Sequence, residues 1–177
     1  ISNCQEGLTR VTLGNFLIKR VVYEIQEELP NIKNFGTLSP IPGFRDWFTT
    51  LDEGVIQNIL GKIPYSTVSF LRSSSLKVGD GRIVSNKKAI IKLVAHYLMN
   101  EKNKKDLPIN DVCRFHLGNG AIIEDIVINA NVSEVGFNRS FGVMVNYLYE
   151  LKNIEKNHED YVNNKNIIIS DKLKKLI

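Results

Sequence analysis

Chemistry in this chain can be carried by a serine, a histidine and a helix entrance, each set among residues that fix its backbone. Ser39 lies in Thr37-Leu-Ser-Pro-Ile-Pro-Gly-Phe44. Each proline fixes its own φ, removes an amide donor and pushes the residue before it into extended geometry. Ser39 is therefore expected to be extended and stiff, in a rigid loop leaving a short strand over 35–38. Such loops are where α/β proteins place chemistry. The plain alternative is a connecting proline turn. His116 stands in Phe115-His-Leu-Gly-Asn-Gly-Ala121, on the last turn of a helix that Asn110 can cap. A helix C-terminus favours imidazolium, and the two glycines allow another backbone to approach closely. This histidine either takes part in catalysis or caps terminal carbonyls. The third feature is the loop over 5–15, which leads into a strong helix. Gly14 and Asn15 leave its first-turn amides uncovered, a natural phosphate site through amides and dipole together, unless Asn15 simply caps.

The elements that must position these groups follow from periodicity. Leu17, Ile18, Val21, Val22, Ile25 and Leu29 recur at helical spacing and predict one buried stripe, stopped at Pro30. Phe44, Trp47 and Phe48 fit a short helix that can wall an apolar pocket. Val55, Ile56, Ile59 and Leu60 mark another, ended by Gly61. The serine-rich stretch over 66–80 reads as a surface excursion without a role. Ser85 is expected to cap a helix carrying Ile90, Ile91, Val94, Tyr97 and Leu98, with His96 a packing or surface residue beside that stripe. Residues 121–128 read as a buried strand. A second strand over 143–151 alternates, with Val145, Tyr147, Tyr149 and Leu151 on one side and Met144, Asn146 and Leu148 on the other. An exposed helix over 153–161 contains His158, and Ser170 can cap a last helix.

Composition bounds the function classes. A chain of 177 residues, 43% hydrophobic and 24% charged, suits a single domain, residues 1–177, with a real core. The net charge of +4 is mild and its signs are mixed, which argues against a nucleic-acid partner and suits an anionic small ligand. No apolar run approaches the ~20 residues that span a bilayer, so no membrane partner is expected. Cys4 and Cys113 stand far apart in no Cys-x-x-Cys pair, which argues against a zinc site and for free thiols in a reducing, intracellular compartment. There is no His-Glu-x-x-His or carboxylate-cluster metal motif. The chain opens on Ile1, at what reads as the tail of a strand, and is expected to be the later part of a longer protein.

Read together, the motifs resemble the C-terminal catalytic domain of the malonyl-CoA decarboxylase family. The matching blocks are Leu13-Gly-Asn-Phe-Leu-Ile-Lys-Arg-Val-Val22, Leu38-Ser-Pro-Ile-Pro-Gly-Phe44, Phe115-His-Leu-Gly-Asn-Gly-Ala121, Gly142-Val-Met-Val-Asn-Tyr-Leu-Tyr149 and Asn153-Ile-Glu-Lys-Asn-His158. They occur in the family's order and span nearly the whole chain. Residues 61–82 carry none of these blocks.

The resemblance implies an α/β (α+β) fold like that of the GNAT acetyltransferases, a mixed central sheet flanked by helices. It implies that the first strands and a helical N-terminal domain lie upstream, with homo-oligomers formed through that domain. It implies decarboxylation of malonyl-CoA to acetyl-CoA, in fatty acid metabolism, by a lyase that needs no metal or other cofactor. Ser39 and His116 align with the family's catalytic pair, and Thr9, Arg10, Val11, Thr12, Leu13, Gly14 and Asn15 with its CoA-contacting loop. Arg10 departs from the family's usual glycine, and it either crowds the pyrophosphate or adds a positive charge to it. Asn146 and Tyr149 are further candidates for orienting the thioester or malonyl group, or are ordinary strand residues. Two other functions fit the same fold: acyl transfer from an acyl-CoA, and CoA binding without catalysis.

Overall fold

The computed structural model describes residues 13–177. A three-stranded antiparallel sheet in the order β1-β3-β2 organises them. β1 spans Phe35–Pro40, β2 Ile122–Val127 and β3 Met144–Tyr149. The central strand alternates as the sequence predicts: Val145, Tyr147 and Tyr149 are buried, while Met144, Asn146 and Leu148 are half-buried on the opposite face. β1 pairs with it so that Ser39 lies opposite Val145 and Phe35 opposite Tyr149. The register of β2 slips between Ile123 and Asp125, a bulge. Both pairings are antiparallel, so the described sheet is not the mixed one expected; the parallel contact of Ile123 with Ile169 is an isolated bridge outside these pairings.

β1 runs further than expected. It includes Ser39 and ends at Pro40, so the serine sits in the strand itself and not in a loop beyond it. Proline is tolerated there because it ends a strand at the edge of the described sheet, where its missing N–H costs little. Gly43 then turns the chain at φ +80°, and a side chain there would meet the Tyr97 hydroxyl at 2.9 Å. α2 (Phe44–Thr50) follows, with Phe44 and Phe48 fully buried and edge-on to Phe141. Each such burial stabilises by roughly 1.5–3 kcal/mol. α3 (Glu53–Leu60) ends at Gly61 as read.

Three expectations need correction. The serine-rich stretch is no excursion: it forms two short 3-10 turns and sends Val68, Leu71 and Leu76 into the core. Ser85 caps nothing. It closes α4 (Gly81–Ser85), its hydroxyl donating to the Gly81 carbonyl, and Asp80 is the cap, accepting from the Arg82 amide. α5 (Lys87–Met99) begins after it and is apolar on nearly every side, so it runs through the core. Lastly, α1 (Leu13–Glu28) starts at Leu13, before Asn15. Gly14 and Asn15 fit a first turn because amides there need no intrahelical partner. Its stripe is not uniformly buried either: Val22 is, but Val21 and Leu29 are about half exposed.

The remaining helices are α6 (Asp111–Gly118), α7 (Glu134–Ser140), α8 (Ile154–Asn164) and α9 (Asp171–Lys174). Asn110 caps α6 by accepting from the Cys113 amide, and Ser170 caps α9 through the Leu173 amide. α6 and α9 both pack against β2. His96 stacks on Trp47, the packing role expected of it.

Candidate active site

β1 and α6 bring the two expected residues together. Ser39 and His116 lie 77 positions apart in the chain, yet Ser39 Oγ stands 2.9 Å from His116 Nε2. Both are 6% exposed. The bond is part of a longer chain. Thr37 Oγ1 lies 3.0 Å from Ser39 Oγ, and Tyr149 Oη lies 2.7 Å from His116 Nδ1. The imidazole also stacks on Tyr147, with centroids 4.3 Å apart and planes 18° off parallel. One ring face and both ring nitrogens of His116 are thereby stacked or bonded.

Local folding explains how the histidine is held. The carbonyls at the end of α6 are supplied with donors other than its ring. The Asn119 side chain donates to Phe115 O, the Asn119 and Ala121 amides to His116 O, and the Gly120 amide to Leu117 O. α8 supplies the rest. His158 Nδ1 donates to Gly118 O at 2.6 Å, and Asn157 Nδ2 to Gly120 O at 3.2 Å. The capping alternative thus falls to His158, and His116 is released for the pocket. Gly120, at φ +79°, makes this possible, since any Cβ there would run into the Ile154 carbonyl.

Burial and dipole compete over the charge of His116. A helix C-terminus favours imidazolium by about 0.3–1 kcal/mol, up to ~2 when partly buried. Loss of water pulls the other way and lowers the His116 pKa to about 4, an effect on the order of 3 kcal/mol. Burial wins, so the ring is neutral at pH 7, contrary to the expectation from helix position alone. Burial likewise pushes the Tyr149 phenol above its ordinary range and the Cys113 thiol up to about 12. Tyr149 therefore keeps its proton. Two proton arrangements satisfy the chain. Either Tyr149 donates to Nδ1 and Nε2–H points at Ser39, or Nδ1–H points at Tyr149 and Ser39 donates to Nε2.

Beside this chain lies a cavity of about 830 Å³. Ile18, Val21, Val22 and Ile25 of α1 wall one side, and Val112 and Phe115 of α6 another. Thr37, Ser39, His116 and Tyr149 line it too. Asn34 and Asp111 line it as well, and a largely apolar cleft with a few polar groups suits a small ligand held by its polar end. Among the described residues, no group of three or more His, Cys, Asp or Glu could hold a metal ion.

The chain matches the family model described as malonyl-CoA decarboxylase C-terminal domain over residues 1–177. The chain belongs to that family. It is 35% identical to the mitochondrial malonyl-CoA decarboxylase of Rattus norvegicus over 100% of its own length and 39% of the relative's. It is 36% identical to that of Anser anser anser, over 98% and 38%. The crystal structure of malonyl-CoA decarboxylase from Rhodopseudomonas palustris superposes with a TM-score of 0.87 at 36% identity, covering 99% of this chain and 40% of the other. The chain thus spans about two fifths of the length of these relatives.

The family's other candidate residues divide by position. Thr9, Arg10, Val11 and Thr12 lie outside the described residues. Leu13, Gly14 and Asn15 form the first turn of α1, the helix that walls the cavity. Tyr149 joins the histidine. Asn146 does not: it pairs with Leu38 on the opposite face of the sheet, and its side-chain oxygen sits against Gly36. Two contributors were missed. Thr37 shares a strand face with Ser39, which period-two alternation could have revealed. Tyr147 shares a face with Tyr149, but only the path of α6 shows what it stacks on. No described helix is long and apolar enough to cross a membrane.

Proposed function

We propose that the protein decarboxylates malonyl-CoA to acetyl-CoA and carbon dioxide, with Ser39 and His116 acting as one hydrogen-bonded unit. The observation that supports this most is the 2.9 Å Ser39–His116 contact on the wall of an apolar cavity. The C–C bond to the carboxylate breaks once it turns out of the thioester plane. Its electron pair moves into the thioester carbonyl, and carbon dioxide leaves. The thioester is its own electron sink, so the reaction needs no further group to hold the charge. The resulting enolate oxygen needs a donor, and its carbon then takes one proton from the protein, which solvent replaces.

Ser39 Oγ and His116 Nε2 are the groups placed to do both. A neutral imidazole with one proton can relay between Tyr149 and Ser39 without carrying charge. Which of the two hands its proton to carbon depends on the direction of the hydrogen-bond chain. The apolar walls exclude water and strengthen these bonds. In this reading the first turn of α1, with residues 9–12 before it, takes the CoA phosphates. Tyr149 holds the imidazole, and Asn146, on the far face, does not touch the substrate. The GNAT-like fold, an upstream helical domain that builds homo-oligomers, and an intracellular place in fatty acid metabolism belong to the same reading.

The test is carbon dioxide release from malonyl-CoA with no acyl acceptor present. Stoichiometric acetyl-CoA and carbon dioxide are expected. Turnover that requires an added amine or thiol would mean acyl transfer instead, and saturable binding without turnover would mean a CoA-binding module.

A further inference from the structure

We propose that Asn110 is a positioning residue that ties the helix carrying His116 to the strand and turn carrying Ser39. This rests on the reaction proposed above. Asn110 is only 2% exposed and uses both ends of its amide. Its oxygen accepts from the Cys113 amide at 2.8 Å, which caps α6. Its nitrogen donates to the Pro42 carbonyl at 2.9 Å, across 68 positions of sequence. One side chain therefore holds the start of α6 and the turn after β1 at a fixed separation.

The tie matters because of where it sits. Ser39 and Pro42 are joined through Pro40 and Ile41, a segment stiffened by two prolines and anchored by fully buried Ile41. Asn110 and His116 are joined by six residues of helix, roughly 9 Å of rise. α6 also packs on β2 and α8, so the two points that join it to the strand and turn carrying Ser39 set their relative placement and not the helix as a whole. The Ser39–His116 bond is one of those points, and it is the bond that must rearrange when either group turns to the substrate. The Asn110–Pro42 bond keeps its hold throughout. A tilt of ~10° over that lever would displace the imidazole by about 1.5 Å, more than the ~0.5 Å that catalytic geometry tolerates.

Asn110 does not line the cavity, so its effect runs through position and not through substrate contact. The plain alternative is that it only caps α6. The Pro42 carbonyl offers a way to separate the two, because Tyr97 Oη also donates to it, at 3.1 Å. In Asn110→Ser the hydroxyl can still cap, serine being as good an N-cap as asparagine. The carbonyl keeps its Tyr97 donor, so no buried acceptor is orphaned and the fold should stand. Only the tie is lost. Tyr97→Phe is the converse control: it removes a hydrogen bond from the same carbonyl and the hydroxyl's contact with Asn110, and leaves the Asn110–Pro42 bond in place.

The experiment uses the protein expressed from its complete coding sequence, with steady-state decarboxylation of malonyl-CoA and NMR titration of His116 as readouts. Among the described residues, the groups in contact with the ring are Phe115 of its own helix, Ser39 of β1, and Tyr147 and Tyr149 of β3, none charged at neutral pH. Asn110→Ser is expected to lower kcat about tenfold to a hundredfold with KM little changed. It should also raise the His116 titration from about 4 toward the ordinary histidine value as water enters. Tyr97→Phe should leave both near the parent values. An Asn110→Ser protein with the parent kcat and the parent His116 titration would make Asn110 a cap alone, as would an equal loss in Tyr97→Phe. Should the unaltered protein fail to release carbon dioxide, the reaction is refuted, and the His116 titration of the two variants still decides the tie.

Discussion

Replacing His116 by glutamine should remove a large part of the protein's acid sensitivity. The imidazole titrates near 4 in the folded protein because burial disfavours its charge, against about 6.5 once unfolded. Above pH 6.5 the ring is neutral in both states and contributes no pH dependence. As pH falls from 6.5 toward 4, the unfolded chain takes up a proton that the folded one refuses. Stability therefore drops by about 1.4 kcal/mol per pH unit, roughly 3 kcal/mol in all, and levels off below pH 4. Glutamine keeps an amide where the ring nitrogens were and cannot titrate. Urea unfolding of the parent and His116→Gln proteins at pH 7 and pH 5 isolates the effect, because shifts of the carboxylates cancel in the difference. The parent should lose about 2 kcal/mol more than the variant between the two conditions. Equal losses would mean that the ring is solvated. A larger loss in the variant would mean that helix position, not burial, sets its charge. The acid limb of kcat/KM should fall near the same pKa of about 4.

Tyr149→Phe removes the hydroxyl at 2.7 Å from His116 Nδ1 and should lower kcat by about ten- to a hundredfold with acetyl-CoA affinity unchanged, measured by steady-state kinetics and calorimetry. Gly14→Val should raise KM for malonyl-CoA strongly with kcat nearly intact, since a side chain in the first turn of α1 blocks approach of the phosphates. An unchanged KM removes that turn from the site. Gly120→Ala should destabilise the fold by more than about 1 kcal/mol in thermal or urea melts, because a Cβ there collides with the Ile154 carbonyl at positive φ.

Local signals carried much of this site. The Asn110 cap, the placement of His116 on the last turn of α6, and the alternation of β3 all follow from spacing within a few residues, and each stands in the structure as read. The same alternation should have set Asn146 apart from Tyr149, and Thr37 beside Ser39. What spacing cannot supply is the partner across the fold. Asn110 shows itself as a cap within three residues, but its second bond reaches Pro42 across 68 positions. The charge of His116 failed for the same reason. Its helix position is local, whereas the burial that overrides it comes from β1 and β3. The serine-rich stretch was misread because three apolar side chains, Val68, Leu71 and Leu76, anchor an otherwise polar run.

Ser39 and His116 are proposed to work as one unit, and a double-mutant comparison of kcat tests that most directly. Ser39→Ala and His116→Ala, each in the protein from the complete coding sequence, should lower kcat for malonyl-CoA by roughly two to four orders of magnitude. Acetyl-CoA binding should barely change, because the nucleotide end makes most of those contacts. The double variant should be little slower than the slower single one, as expected when removing either group disables the 2.9 Å contact. Losses that multiply in the double variant, or a single variant that keeps the parent kcat, would contradict the unit and with it the proposed mechanism.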